Sequence, residues 1–180
     1  TTFVRAARPL DVVDGRSDGS LVMAAAGRLD LVRPPSRIVP YASAYSSPGG
    51  EEAYIASPSP RHAGCSFGRG SVYAIRLSHG RGITQISAAG RVRRFAAIGA
   101  PGLIDGIAFD ETGRFGHRMV VTVNHGTTTT VLAIDCRGHV TAIASSAPRV
   151  EGGIAVAPAG FGRYAGDLIA PDEQGGRVFA

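Results

Sequence analysis

The 180-residue sequence has no tryptophan and no lysine, only two methionines and two cysteines, and its aromatic share is 7%. No run of eighteen apolar residues occurs, which argues against a membrane-spanning helix. Two cysteines, Cys65 and Cys136, are too few for a disulfide framework, and neither sits at zinc-site spacing from a histidine. They read as two idle thiols or, in an exported protein, as a single bridge; spacing alone does not choose. Extended 3.6-residue periodicity is missing too, which excludes a helical solenoid. Hydrophobic residues at 44% and a mean hydropathy of +0.08 exclude a disordered chain. The length fits one domain.

The missing lysines also qualify the charge. All nineteen basic residues are arginine, and the net charge is +5. Residues 1–94 hold thirteen arginines against six acids, whereas residues 95–180 hold six against eight. The densest group, Arg91, Arg93 and Arg94, falls in a strand-like stretch where side chains alternate between faces. No basic stripe with interleaved aromatics exists, so neither a nucleic-acid partner nor membrane insertion is expected. The first thirty residues contain no continuous apolar signal core. A signal peptide already removed, or one never included, fits that equally, and a secreted or periplasmic location stays open.

Turn formers are abundant: 25 glycines and 11 prolines make one residue in five. They punctuate short apolar stretches, the pattern of an all-β chain. Two segments repeat. Gly106-Ile107-Ala108-Phe109 recurs as Gly153-Ile154-Ala155-Val156, 47 residues on, and in that register Gly113 falls on Gly160, Val121 on Leu168 and Leu132-Ala133 on Phe179-Ala180. Ile83-Thr84-Gln85-Ile86 with Gly90 precedes residues 131–134 with Gly138 by 48 residues. Strands are expected at 53–56, 71–75, 119–123, 131–134, 167–170 and 177–180, with a long connection at 57–70. Upstream, 20–25 and 29–32 read as the two outer strands of a weaker unit, followed by a loop containing Pro34, Pro35 and Pro40.

Units of roughly 45 residues with about four strands each are the period of a propeller blade. The expected fold is therefore an all-β β-propeller of four-stranded antiparallel blades, with about three to four blades present. A β-sandwich is the rival, but it does not require one signature at a fixed period. The single domain 1–180 divides into a poorly matched first blade and linker at 1–50 and successive blades at 51–100, 101–148 and 149–180. The last reads as truncated, so the sequence is either a fragment of a larger propeller, an unusually small four-bladed ring, or a partial ring that another chain completes.

At Asp105-Gly106-Ile107-Ala108-Phe109-Asp110-Glu111-Thr112-Gly113 and over residues 83–96 the chain resembles NHL-type repeats, the senescence marker protein/gluconolactonase family and the virginiamycin B lyase-like family. The resemblance spans roughly residues 51–180 and implies six or seven blades in a complete protein. Its gluconolactonase side implies a divalent cation, Ca²⁺ or Mg²⁺, held in the central channel by carboxylates and an asparagine. That places Asp105 and, by repeat logic, Glu151 as metal ligands. An aspartate before glycine is also ordinary turn chemistry. The lyase-like side implies an acid–base pair beyond the second strand, where this chain has Val123-Asn124-His125-Gly126. Asparagine cannot titrate, which leaves His125 as the candidate catalytic base or as a plain loop residue. No Gly-x-Ser-x-Gly elbow or phosphate loop is present, and the glycine-rich stretch 160–166 reads as a long blade turn.

Two functions follow. In one, the propeller binds a small molecule, a sugar-like ligand or a protein at its central funnel. In the other, it is a divalent-metal-dependent hydrolase of a lactone or ester.

Overall fold

The computed structural model describes residues 10–13, 16, 18–47, 54–58 and 66–180. They form four antiparallel sheets in chain order. Blade 1 contains β1 (Leu10–Val13), β2 (Leu21–Ala25), β3 (Arg28–Arg33) and β4 (Arg37–Tyr41). Blade 2 contains β5 (Ile55–Ala56), β6 (Val72–Arg76), β7 (Gly82–Ile86) and β8 (Val92–Ala97). Blade 3 contains β9 (Leu103–Phe109), β10 (Met119–Asn124), β11 (Thr128–Ile134) and β12 (Val140–Pro148). Blade 4 contains β13 (Ala155–Val156), β14 (Leu168–Asp172) and β15 (Arg177–Phe179).

Each blade is a meander, strand pairing with the next strand in sequence. The first strands pack in series, β1 on β5, β5 on β9 and β9 on β13. Among the described residues no packing of that extent returns from β13 to β1. The result is the all-β propeller arrangement that the repeat implied. The blade number differs from the six or seven of the resembling families: this chain forms four sheets, as many as 180 residues at roughly 45 per blade can supply.

The repeated glycines have a structural reason. Gly90 and Gly138 close the equivalent third-to-fourth strand turns of blades 2 and 3, at φ +79° and +86°, with their N–H groups on Ser87 O (2.8 Å) and Asp135 O (3.0 Å). A Cβ on Gly138 would lie 2.3 Å from the carbonyl oxygen of Phe95, and one on Gly90 would lie 3.2 Å from Ala42 N. Each turn thus rests against the end of the fourth strand of the preceding blade, where only glycine leaves room.

The first blade departs from the expectation. Residues 20–25 and 29–32 belong to its middle strands, since β1 and β4 flank them. Pro40 lies within β4 rather than in a loop; β4 is an edge strand, where a missing N–H costs no ladder bond. The stretch 160–166 contains a single 3-10 turn, Gly162–Tyr164.

Two cores lie between blades. Val72, Ala74 and Ile86 face blade 1 and meet Val22, Ala24, Leu29 and Tyr41. Tyr73, Ile83 and Ala96 face blade 3 and meet Ile107, Phe109, Val121 and Leu132. A third of the chain's few aromatics gather in this second core. Phe67 stands edge-on to Tyr73 (5.7 Å) and to Phe109 (4.9 Å), and Tyr73 edge-on to Phe95 (5.0 Å). The buried Tyr73 hydroxyl accepts a hydrogen bond from Gln85 Nε2 at 2.8 Å. Cys136 is disulfide-bonded; the chain's other cysteine, Cys65, lies outside the described residues.

Phe109→Ala removes the ring that touches both Phe67 and Tyr73 and is expected to cost about 3–5 kcal/mol, read as a fall in the urea midpoint. Reduction of the cystine is expected to lower stability by about 2–5 kcal/mol in the same assay.

Candidate functional site

The strand ends of blades 2, 3 and 4 and the segment after β4 enclose a cavity of about 610 Å³. Asp105, Glu151 and Glu173 line one part of it, and Arg76, Thr84 and Arg94 another. Tyr45 and Tyr54 add aromatic surface.

Asp105 lies within β9, so the turn reading of Asp105-Gly106 is corrected. The register explains its position. Thr122 stands opposite Gly106 and Val123 opposite Ile104, which leaves Asp105 as the extra residue of a β-bulge. Bulges re-aim side chains next to sites. Gly106 is required beside it, because a Cβ there would fall 2.3 Å from Thr122 Oγ1 and 3.0 Å from Ile154 Cγ2 of blade 4. That gap lets the Thr122 hydroxyl donate to Asp105 Oδ1 at 3.0 Å. The other oxygen, Oδ2, is buried and has no hydrogen-bond partner among the described residues.

Burial pushes the Asp105 carboxyl up to about 6, against the pull of the Thr122 hydroxyl and the Asn124 amide, and the negative charge of Glu151 pushes the same way. Glu151 is therefore an electrostatic neighbour of Asp105. Its backbone N–H donates to Pro171 O at 2.8 Å, and its carboxylate pairs with Arg149.

The segment entering blade 4 is held from blade 3. Val150, next to Glu151, donates its N–H to Thr129 Oγ1 at 3.1 Å, and its carbonyl accepts from Asn124 Nδ2 at 3.0 Å. Asn124 Oδ1 in turn accepts the Gly126 N–H at 2.6 Å. Asn124, read from the sequence as a missing acid, is a positioning residue for the Glu151 segment. His125 is not brought to the cavity: it is exposed in the β10–β11 turn, with Nε2 2.8 Å from Thr130 Oγ1. Sequence reasoning missed Glu173, Arg76 and Arg94, which no motif marks.

A divalent cation would find suitable oxygens here in part. Among the described residues Asp105 Oδ2 is a buried carboxylate oxygen without a partner, and Glu151, whose carboxylate pairs with Arg149, lines the same cavity. Two carboxylates alone fall short of the oxygen shell that such an ion takes. Among the described residues no group of three or more His, Cys, Asp or Glu side chains is placed to hold a metal.

No protein-family model matches the sequence, and no curated protein matches it. Solved structures do. An X-ray structure of a protein described as a gluconolactonase superposes with a TM-score of 0.52 at 13% identity, covering 86% of this chain and 54% of the other. The chain thus spans about half of that protein's length. Virginiamycin B lyase from Staphylococcus aureus gives a TM-score of 0.48 at 12% identity, covering 95% of this chain and 73% of the other. At 13% identity the gluconolactonase likeness is one of fold.

The raised Asp105 pKa sets a pH dependence with a definite sign. Unfolded, the group titrates near 3.8; folded, near 6. Between those values the native state holds the proton and the unfolded state does not, so stability falls as pH rises through the window. The penalty, on the order of 3 kcal/mol, is complete above pH 6. Asp110, Asp135 and Asp172, whose carboxyls are held below the usual range by hydrogen bonds, act in the opposite sense and at lower pH. Subtracting an Asp105→Asn variant isolates the effect: its urea stability is expected to lack this fall and to exceed that of the wild type above pH 6.

Proposed function

We propose that this propeller binds a small, polar, hydroxyl-bearing molecule of sugar size in the cavity at Asp105. The observation that carries the reading is the buried Asp105 Oδ2, which lacks a hydrogen-bond partner among the described residues, at a cavity of ligand-pocket size. An unsatisfied buried carboxylate oxygen costs free energy that a donor from the ligand would recover. Glu151 and Glu173 offer further acceptors, and Tyr45 and Tyr54 add aromatic side chains to the lining. A protein loop presenting the same donors would meet the same groups.

One observation favours a second reading, a divalent-metal-dependent hydrolase of a lactone or ester. Two neighbouring carboxylates, one of them buried, repel, and a cation relieves that repulsion directly. Asp105 and Glu151 would hold it, and when bound it would polarise a substrate carbonyl as a Lewis acid. Around it, the chain's own residues act by position: Thr122 fixes the Asp105 carboxylate through Oδ1, and Asn124 and Thr129 fix the segment that carries Glu151. His125, exposed and outside the cavity lining, has no placement as a base in this reading. The fold neighbour described as a gluconolactonase makes sugar lactones the substrates to try first.

Thermal melts with a panel of monosaccharides and aldonolactones, each with and without millimolar Ca²⁺ or Mg²⁺, test both. Ligand at about 100 times its dissociation constant adds roughly 2.7 kcal/mol. A sugar-dependent rise that Asp105→Asn abolishes is expected. A rise with the ion alone, lost in the same variant and accompanied by lactone hydrolysis, establishes the second reading. A panel that moves nothing refutes both.

A further inference from the structure

Blade 2 presents a charged group of the opposite sign to the same cavity. Arg76 at the end of β6, Thr84 on β7 and Arg94 on β8 all line it. The sheet brings them together: Thr84 stands opposite Arg94 across one strand pair and opposite Ala74 across the other, two residues from Arg76. Arg76 Nη1 donates to Thr84 Oγ1 at 3.1 Å and to Ile83 O at 3.0 Å. Its Nε donates to Gly80 O at 2.5 Å, while Arg94 Nη2 donates to His79 O at 2.8 Å. A Cβ on Gly80 would stand 3.9 Å from Arg94 Nη1, so both guanidinium groups converge on the β6–β7 turn. Burial, and then the charge of Arg94, pull Arg76 below its usual range.

Among the described residues neither arginine has a carboxylate partner. The ion pairs among the described residues belong to Arg16, His139, Arg149 and Arg177, and the acids that line the cavity come from blades 3 and 4. Two like charges side by side, satisfied only in part by carbonyls and one hydroxyl, is an arrangement that an anion completes. Each guanidinium has five N–H donors in a planar fork suited to carboxylate and phosphate oxygens. Pinning a turn needs one such group; a second at the same turn adds repulsion and no fold contact that an uncharged donor could not make.

We propose that Arg76, Thr84 and Arg94 form an oxyanion-binding subsite, so that the ligand of this cavity carries a carboxylate or phosphate at its blade 2 end and hydrogen-bond donors at its Asp105 end. The proposal extends the reading of the cavity as a ligand site and is tested separately from it. Melts are recorded with inorganic phosphate, acetate and chloride at equal ionic strength, on the wild type, Arg94→Gln and Asp105→Asn. Arg94 is exposed, so its variant folds even if Arg76→Gln, which also loses the turn contacts, does not. Phosphate or acetate is expected to raise the melting temperature above chloride in the wild type and in Asp105→Asn, with at least a tenfold weaker apparent affinity in Arg94→Gln. The larger of the two shifts identifies the head group. Shifts equal to those of chloride, or identical in Arg94→Gln and the wild type, overturn the subsite. The subsite stands without the sugar reading if the anion shift survives while the sugar panel is silent, and the reverse pattern removes the subsite alone.

Discussion

Each interior blade of this protein is apolar on both faces, and a two-faced apolar sheet can be buried only between two others. Blade 2 shows the constraint most fully: Val72, Ala74 and Ile86 belong to the core shared with blade 1, while Tyr73 and Ile83, one residue out of phase, belong to the core shared with blade 3. Strand alternation therefore does not separate inside from outside here, as it would in a sandwich; it assigns neighbours. Everything else in the arrangement follows from stacking these sheets closely. The glycines at the third-to-fourth turns are required because the turn of one blade meets backbone of the previous one. Few polar side chains are buried between the sheets, Thr84, Gln85 and Thr122 among them, each with a hydrogen-bond partner.

Asp105 is a deliberate exception to that rule. It sits 2% exposed, with one oxygen bonded to Thr122 and the other, among the described residues, to nothing. A structural acid in this protein looks different: Asp110 accepts from the N–H groups of Thr112, Gly113, Phe115 and His117 and organises their loop, and Asp172 is gripped by Arg177. Those carboxyls are held below their ordinary range, whereas Asp105 is raised. A group that works against folding at neutral pH, on a bulge that a regular strand could have avoided, is the kind of feature that function retains and stability does not.

The sequence disclosed the fold through spacing: Gly90 and Gly138 answer the same turn geometry in blades 2 and 3, whereas Gly106 is required by Thr122 and Ile154 and its repeat partner Gly153 meets nothing within 4 Å. Blade 1 was harder to read since its strands meet at a two-residue hairpin, Ala26-Gly27, both at positive φ, and its edge strand contains Pro40. Asp105 and Glu151 were legible only through resemblance and repeat position. The bulge that buries Asp105 depends on how β9 pairs with β10, two strands separated by a long turn, and no local pattern encodes that register. Arg76 and Arg94 lie 18 positions apart in the chain and become neighbours only when β6, β7 and β8 are aligned. Asn124 shows the opposite error: its chemistry was judged as catalysis, where it could only be deficient, and its use is to anchor Val150.

Charge separation within the cavity bears on what kind of ligand can satisfy it. Acids from blades 3 and 4 and arginines from blade 2 line one space, yet none of these arginines pairs with any of these acids. Had the cavity been only a gap between strand ends, flexible side chains of opposite sign would gain by closing across it, since an ion pair shielded from water is worth more than two solvated charges at a rim. They are held apart instead. Arg76 is tied to the β6–β7 turn and Arg94 to His79, Asp105 to Thr122, and Glu151 to Arg149, an arginine outside the cavity lining. Each side of the cavity is fixed by partners on its own side, which keeps the two polarities available to a molecule that bridges them.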